Sequence, residues 1–301
     1  MSLPININVN TAYYVDICPH LNMGLSNQLY LLINGIVRSI QEKKKILLVG
    51  DFLLQSSNVS SKGSHPNLKF LMNPQSYHAD SKQRIGQILA LDMMNRYFSE
   101  KHDLLIIDYM EYVGKYMNVP KIQAEVTSCG NVVHSILGKQ VLRNIKFNIN
   151  LVRQPFALMK RLISNSSTKI NIIHLRVEED ALVHWGKVNK IPKKLFLHKM
   201  VRKYVELIDK HITKTDITFV LCGDSKNAVI KYMKKTGHNC HILDKTSKHR
   251  EINAIMDMVI GRMCNNVFIG ASGSTFTQLI SNYHENIPVK QSLNLNNIDS
   301  C

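Results

Sequence analysis

Short apolar runs alternate along this chain with stretches whose apolar residues recur every three to four positions. A run of four to eight apolar residues bounded by polar or Gly/Pro signals reads as a buried strand, and the 3.6-residue period as a helix. In the first half, residues 13–18 predict a strand closed by Pro19, residues 29–41 a helix and residues 45–50 a second strand, which is a β-α-β unit. A helix over about 83–98 and a strand at 104–108 come next, and between 111 and 146 only a helix near 132–143 stands out. Beyond residue 165 the alternation is regular. Strands at 171–177, 217–222, 240–243 and 267–270 precede helices at about 193–211, 225–236, 250–264 and 275–282. Strands alternating with helices of this length imply parallel sheets with right-handed crossovers. Pro155 and the polar Ser164–Thr168 mark the best boundary, so the expected fold is α/β with two Rossmann-like domains, 1–164 and 165–301. No internal repeat recurs at a fixed period.

Residues 54–82 break the pattern, turning polar and rich in Ser, Asn and Pro, as a surface or binding loop does. The apolar fraction of 45% is that of a globular chain with a sizeable core. Lys plus Arg exceed Asp plus Glu, 38 to 22, so the net charge of +16 favours anionic partners: nucleic acid, anionic membrane or phosphorylated metabolite. The longest basic run is only Lys43–Lys45, which argues against a nucleic-acid patch. Six scattered cysteines without a C-x-x-C pair suit neither a disulfide framework nor a zinc ribbon, and a reducing compartment is expected. With no leader-like start and no apolar run long enough to cross a bilayer, the expectation is a soluble, cytoplasmic chain.

The candidate chemistry collects at strand ends. His174, Arg176, Glu178, Glu179 and Asp180 close one strand; Gly223, Asp224 and Ser225 the next; Asp244 the third; Ala271-Ser272-Gly273-Ser274-Thr275 the fourth. In open α/β sheets, ligands bind outside the carboxyl ends of the strands. Arg176 offers fixed parallel donors to phosphate oxygens, or equally an ion pair with Glu178 or Glu179. Small residues at 270–275 opening a helix suit an anion, with Ser274 and Thr275 adding hydroxyls, or form an ordinary N-cap. Asp224 and Asp244 suit base or ribose hydroxyls, or cap helices in turn. Near the N-terminus, Gly24 to Gln28 form a turn that presents backbone N–H groups. No P-loop, G-x-G-x-x-G, G-x-S-x-G or D-x-D sequence occurs, so arginine and helix N-termini would have to meet diphosphate charge without a metal.

His174-Leu175-Arg176, Gly24-Leu25-Ser26-Asn27-Gln28, and Phe268–Phe276 with Glu251, Asn253 and Asp257 upstream resemble the GDP-fucose-dependent fucosyltransferase superfamily, which includes the protein O-, α1,6- and α1,2-fucosyltransferases. The resemblance spans both ends of the chain in order, and residues 50–165 match nothing in that family. It implies a GT-B fold, two Rossmann-like domains across a cleft, with 1–164 on the acceptor side and 165–301 binding the nucleotide sugar. It also implies an inverting, metal-independent enzyme with no cofactor, whose partners are a nucleotide-sugar donor and a glycan or glycoprotein acceptor, and neither nucleic acid nor a membrane span. Arg176 corresponds to the arginine on the donor diphosphate. Ser274, Thr275 and Phe276 lie against diphosphate and nucleoside, and Gly24 and Asn27 face the donor from the other domain. His174, Asp224, Asp244, Asp257 and Ser272 complete the expected donor-binding set. The chain departs from many members in Glu178–Asp180 and in His184-Trp185 just beyond.

In the mechanism this implies, Arg176 and the helix N-terminus at Ser274 stabilise charge on the departing diphosphate, while a carboxylate takes the proton of the attacking hydroxyl. Alternation along an extended segment puts Glu178 and Asp180 on the face of Arg176 and leaves Glu179 opposite, which favours Glu178 as base. Trp185 is either a sugar-stacking platform or a core residue. Two other readings keep a place: the same fold using another nucleotide sugar, since no residue here reads the hexose, and a basic nucleic-acid-binding protein.

Overall fold

The computed structural model describes residues 11–15, 24–54, 82–120, 122–123, 126, 131–163, 167–177, 179–222, 227–245, 247 and 249–299. They form two compact α/β units, 11–54 with 82–151, and 152–299. Most of the polar stretch 54–82, together with Glu178, Gly223, Asp224 and Ser225, lies outside the described residues.

The first unit runs β1 (Ala12–Val15), α1 (Leu25–Gln41), β2 (Ile46–Val49), the short antiparallel pair β3 (Phe52–Leu53) and β4 (Lys82–Gln83), then α2 (Ile85–Ile88), α3 (Leu91–His102), β5 (Leu105–Asp108), α4 (Tyr109–Lys115) and β6 (Ile122–Gln123). A 3₁₀ turn (Asn131–His134), α5 (Ile136–Asn144) and α6 (Ile149–Leu162) come after it in the chain. Its sheet is parallel, in the order β5-β2-β1-β6. Helix α1 lies so close to β1 that a Cβ on Gly35 would come within 2.7 Å of Val15 Cγ2, which leaves room only for hydrogen. At the edge, Asn95 of α3 takes the place of a strand: its amide donates to Ile106 O at 2.7 Å and its oxygen accepts from Ile106 N at 2.8 Å.

The helix expected over 83–98 is two helices. Leu89 between them is extended and bridges Phe147, Ala90 N donates to Lys146 O at 2.9 Å, and Asn148 N donates to Ile88 O at 2.9 Å. These long-range backbone bonds outweigh the local helical period. Pro155, expected near a boundary, is carried inside α6.

The second unit runs β7 (Ile170–His174), α7 (Glu179–Val188), α8 (Lys193–His211), β8 (Ile217–Leu221), α9 (Ala228–Lys235), β9 (Cys240–His241), α10 (Arg250–Gly261), β10 (Val267–Ala271), α11 (Thr275–Tyr283) and β11 (Val289–Leu293). All five strands are parallel, in the order β11-β10-β7-β8-β9. Strands β7, β8 and β10 are buried throughout, which is why they read as continuous apolar runs. Phe196, Met200, Tyr204 and Ile208 recur every fourth position on α8 and form one fully buried stripe, packed in the same core as Ile173, Val220 and Ile269. The one polar side chain inside β7 at its start, Asn171, accepts from Val267 N at 3.2 Å and donates to Thr218 Oγ1 at 3.3 Å, pinning three strands together at the sheet's amino end.

Candidate active site

The strand order of the second unit places its switch between β7 and β10: the chain winds from β7 outward through β8 and β9, then returns to the other side of β7. Neighbouring crossovers leave in opposite directions there, so the carboxyl ends of β7 and β10 bound a crevice. Those two ends carry His174 to Arg176 and Ala271 to Thr275, so the topology brings together two of the segments singled out in the sequence.

The ends are laced by side chains. His174 is buried, with its Nδ1 2.7 Å from Thr277 Oγ1 of α11 and its ring 4.8 Å from that of Phe276. Burial, and then the Arg176 cation, push its imidazole down to about 3, so it is neutral at ordinary pH. Thr277 Oγ1 also accepts from Ala271 N at 3.1 Å, closing the turn from β10 into α11. Tyr204, fully buried on α8, donates from its hydroxyl to His174 O at 2.7 Å and accepts from Arg176 N at 3.2 Å. The Arg176 residue itself is half-buried. His174 therefore faces Thr277 and Phe276 with its ring, and Arg176 follows it two residues past the end of β7.

The turn after β10 is built for close approach. Gly273 is exposed at φ 78°, in the left-handed region, and a Cβ there would stand 2.9 Å from Trp185 Cζ2. Trp185 is half-buried against the core of the unit and props this turn. Ser274 is the N-cap of α11 and accepts from Thr277 N at 3.5 Å. Ser272 Oγ donates to Leu293 O at 2.8 Å and accepts from Leu295 N at 3.1 Å, tying the turn to β11 and to the segment just past its end. Thr275 opens α11, half-buried, next to the buried Phe276.

At the end of β8, Cys222 has φ 58° and its N–H donates at 2.9 Å to Oδ2 of the buried Asp257, on α10. Asp257 thus fixes the backbone at Cys222, where β8 ends. Asn253 grips residue 247 twice, accepting from Ser247 N at 3.2 Å and donating to Ser247 O at 2.9 Å. Glu251 is fully buried with Arg250 Nε 3.5 Å from its Oε1. Asp244 is exposed past β9, and its carbonyl accepts from Gln154 at 3.2 Å.

One expectation is corrected. The residues after Arg176 do not continue extended, because α7 begins at Glu179; alternation therefore does not govern Asp180, which lies in the first turn of a helix. Ala181, Leu182 and Trp185 supply the apolar face of that helix at helical spacing.

In the first unit, Gly24 is the N-cap of α1 in extended conformation, without a side-chain cap, and its carbonyl accepts from Asn27 N at 3.0 Å and Gln28 N at 3.3 Å. Gly24 and Asn27 are half-buried, and no acidic residue occupies the first turn. Among the described residues no group of three or more His, Cys, Asp or Glu gathers to hold a metal, and no helix is long and apolar enough to cross a membrane.

Thr277 and Tyr204 belong to none of the sequence motifs. Tyr204 falls in an apolar stripe where a tyrosine passes for core, and its only signal is that a buried tyrosine hydroxyl needs a partner.

No family model matches the chain, and no curated protein matches it in sequence. Solved structures do. POFUT1 in complex with GDP-fucose superposes with a TM-score of 0.58 at 10% identity, over 95% of this chain and 99% of that one. POFUT1 in complex with GDP gives 0.60 at 9% identity with the same coverage. The fucosyltransferase NodZ from Bradyrhizobium gives 0.56 at 14% identity, over 96% of each chain. The two parallel α/β sheets of this protein thus have the fold of GDP-fucose fucosyltransferases.

Proposed function

We propose that this protein is a glycosyltransferase that moves fucose from GDP-fucose to a hydroxyl of a glycan or protein, with inversion and without a metal. The observation that carries the reading is the pairing, at one topological switch point, of Arg176 at the end of β7 with the N-terminus of α11 at the end of β10. A guanidinium and a helix N-terminus converging on one crevice are a receptor for a diphosphate. The complexes with GDP-fucose and with GDP among the structural neighbours support the choice of donor.

In the reaction, the acceptor oxygen forms a bond to the anomeric carbon as the bond from that carbon to the diphosphate oxygen breaks. The electron pair leaves with the diphosphate, where Arg176 and the first turn of α11 stabilise it. The acceptor proton passes to a carboxylate, Glu178 or Asp180. Asp224, Asp244, Thr275 and Phe276 serve the nucleoside and phosphates, Gly24 and Asn27 serve the donor from the first unit, and His174, Asp257 and Ser272 hold the loops that carry the site. The 1–164 portion serves the acceptor and 165–301 the donor.

The test is a donor screen with GDP-, UDP- and ADP-sugars, each with and without EDTA, read by release of the nucleotide and by thermal shift. Release of GDP from GDP-fucose, undiminished by EDTA, is the expected result. Turnover of a UDP-sugar alone would replace the donor assignment, and abolition by EDTA would remove the metal-free mechanism.

A further inference from the structure

The sheet of the second unit splits just where Arg176 leaves it. On one side, β7 stays paired with β8 through Leu175 N to Leu221 O at 3.2 Å. On the other, the pairing with β10 runs through Ile172 and Ile173. Residues two apart in a strand point their backbone groups to the same edge, so His174 and Arg176 both turn toward the side that β10 has left. Buried main-chain donors and acceptors need partners, and among the described residues no strand supplies them here.

Tyr204 does. A hydroxyl has one donor and two acceptor lone pairs, and this one uses both capacities, giving its proton to His174 O at 2.7 Å and accepting from Arg176 N at 3.2 Å. The ring is fixed in turn, in the stripe of Phe196, Met200 and Ile208 on a 19-residue helix. We infer that Tyr204 is the positioning residue for Arg176, its hydroxyl standing in for the missing strand so that the arginine's backbone leaves the sheet at a fixed point and angle. Fully buried, Tyr204 acts through the backbone of His174 and Arg176 and not at the crevice itself. The inference rests on the reading of Arg176 as the diphosphate clamp.

The test uses the intact protein and GDP as probe. Tyr204→Phe keeps the ring and its packing and removes only the hydroxyl. GDP affinity is expected to weaken about fivefold to tenfold, the scale of one lost hydrogen bond transmitted to a charged contact. In a double-mutant cycle, Arg176→Ala with Tyr204→Phe is expected to bind GDP no more weakly than Arg176→Ala alone, because the hydroxyl has nothing left to position. A merely structural role would instead add its full loss in both backgrounds. Wild-type affinity in Tyr204→Phe, or full additivity, overturns the inference while leaving the clamp standing. Unchanged affinity in Arg176→Ala overturns the clamp and the inference with it. Should Tyr204→Phe not fold, amide exchange in the unaltered protein decides: the Arg176 N–H, beyond the last residue of β7, is expected to exchange far more slowly than a free amide, and free exchange overturns the assignment.

Discussion

The two units repeat one strand order, in which the first strand has the second and third on one side and the fourth on the other, yet they finish their strand ends differently. In the second unit the ends of β7 and β10 are tied by His174, Thr277, Ser274 and Tyr204, each with a side-chain hydrogen bond. In the first unit, α1 starts at Gly24 with no side-chain cap and no acidic residue in its first turn. Among the described residues, the second unit frames its strand ends with buried side chains beside a cation, and the start of α1 has no such frame. A fixed frame suits charge that builds up during a reaction, because donors held in advance need not reorganise. A plain helix N-terminus offers main-chain N–H groups and leaves room for a ligand to approach the backbone.

That contrast is broken most directly by Arg176→Ala. Turnover is expected to fall about a hundredfold or more, the scale seen when a preorganised charge-stabilising group is removed, with the circular dichroism spectrum unchanged. Steady-state kinetics check it, and retained turnover would end the contrast.

Next in size is Gly273→Ala. The left-handed backbone at φ 78° and the 2.9 Å approach of Trp185 together make a side chain there cost about 2 kcal/mol, measured by urea denaturation. Adding Trp185→Leu is expected to recover part of the loss, since it relieves the collision and leaves the backbone strain. No change in Gly273→Ala would mean that the turn is not held as described.

Acid should reach the second unit through His174. Its imidazole lies near 3 in the folded chain and near 6.5 in the unfolded one, so between those values the unfolded chain binds a proton that the folded chain refuses. Stability is therefore full above about 6.5 and falls as the pH drops, by at most about 1.4 kcal/mol per pH unit from this one group. His174→Asn, which keeps a polar atom near the Nδ1 position, is expected to flatten that slope in urea titrations between pH 4 and 7. An unchanged slope would assign the acid sensitivity to other groups.

The smallest effect belongs to the first unit. At φ −65° and ψ 166°, Gly24 sits in a region open to any residue, so Gly24→Ala is expected to cost less than about 1 kcal/mol and to lower turnover only a few-fold. A loss as large as that in Arg176→Ala would show that Gly24 matters to turnover as much as Arg176 does.

Burial decides how much of the fold is legible in the sequence. Strands covered on both faces appear as uninterrupted apolar runs, so β7, β8 and β10 and the polar residues at their ends are readable in order. Strand β11 escapes the pattern because Val289-Lys290-Gln291-Ser292-Leu293 is an edge strand, half exposed, with little apolar signal. Helix α7 escapes it because its first residues are acidic and its apolar face is short. The site is legible as a set of strand ends; its bracing is not. Spacing along the chain does not show that Thr277 meets His174 across 103 residues, or that Tyr204 reaches back 28 residues to Arg176, since these contacts exist only once the sheet has formed.

The central claim, a diphosphate held by protein groups at the β7–β10 switch point, is tested most directly by calorimetric titration of GDP into the intact protein in EDTA. Saturable binding of one GDP per chain, unaffected by the chelator and with UDP and ADP clearly weaker, is the expected result. Absence of GDP binding, or binding that requires a divalent metal, would contradict it.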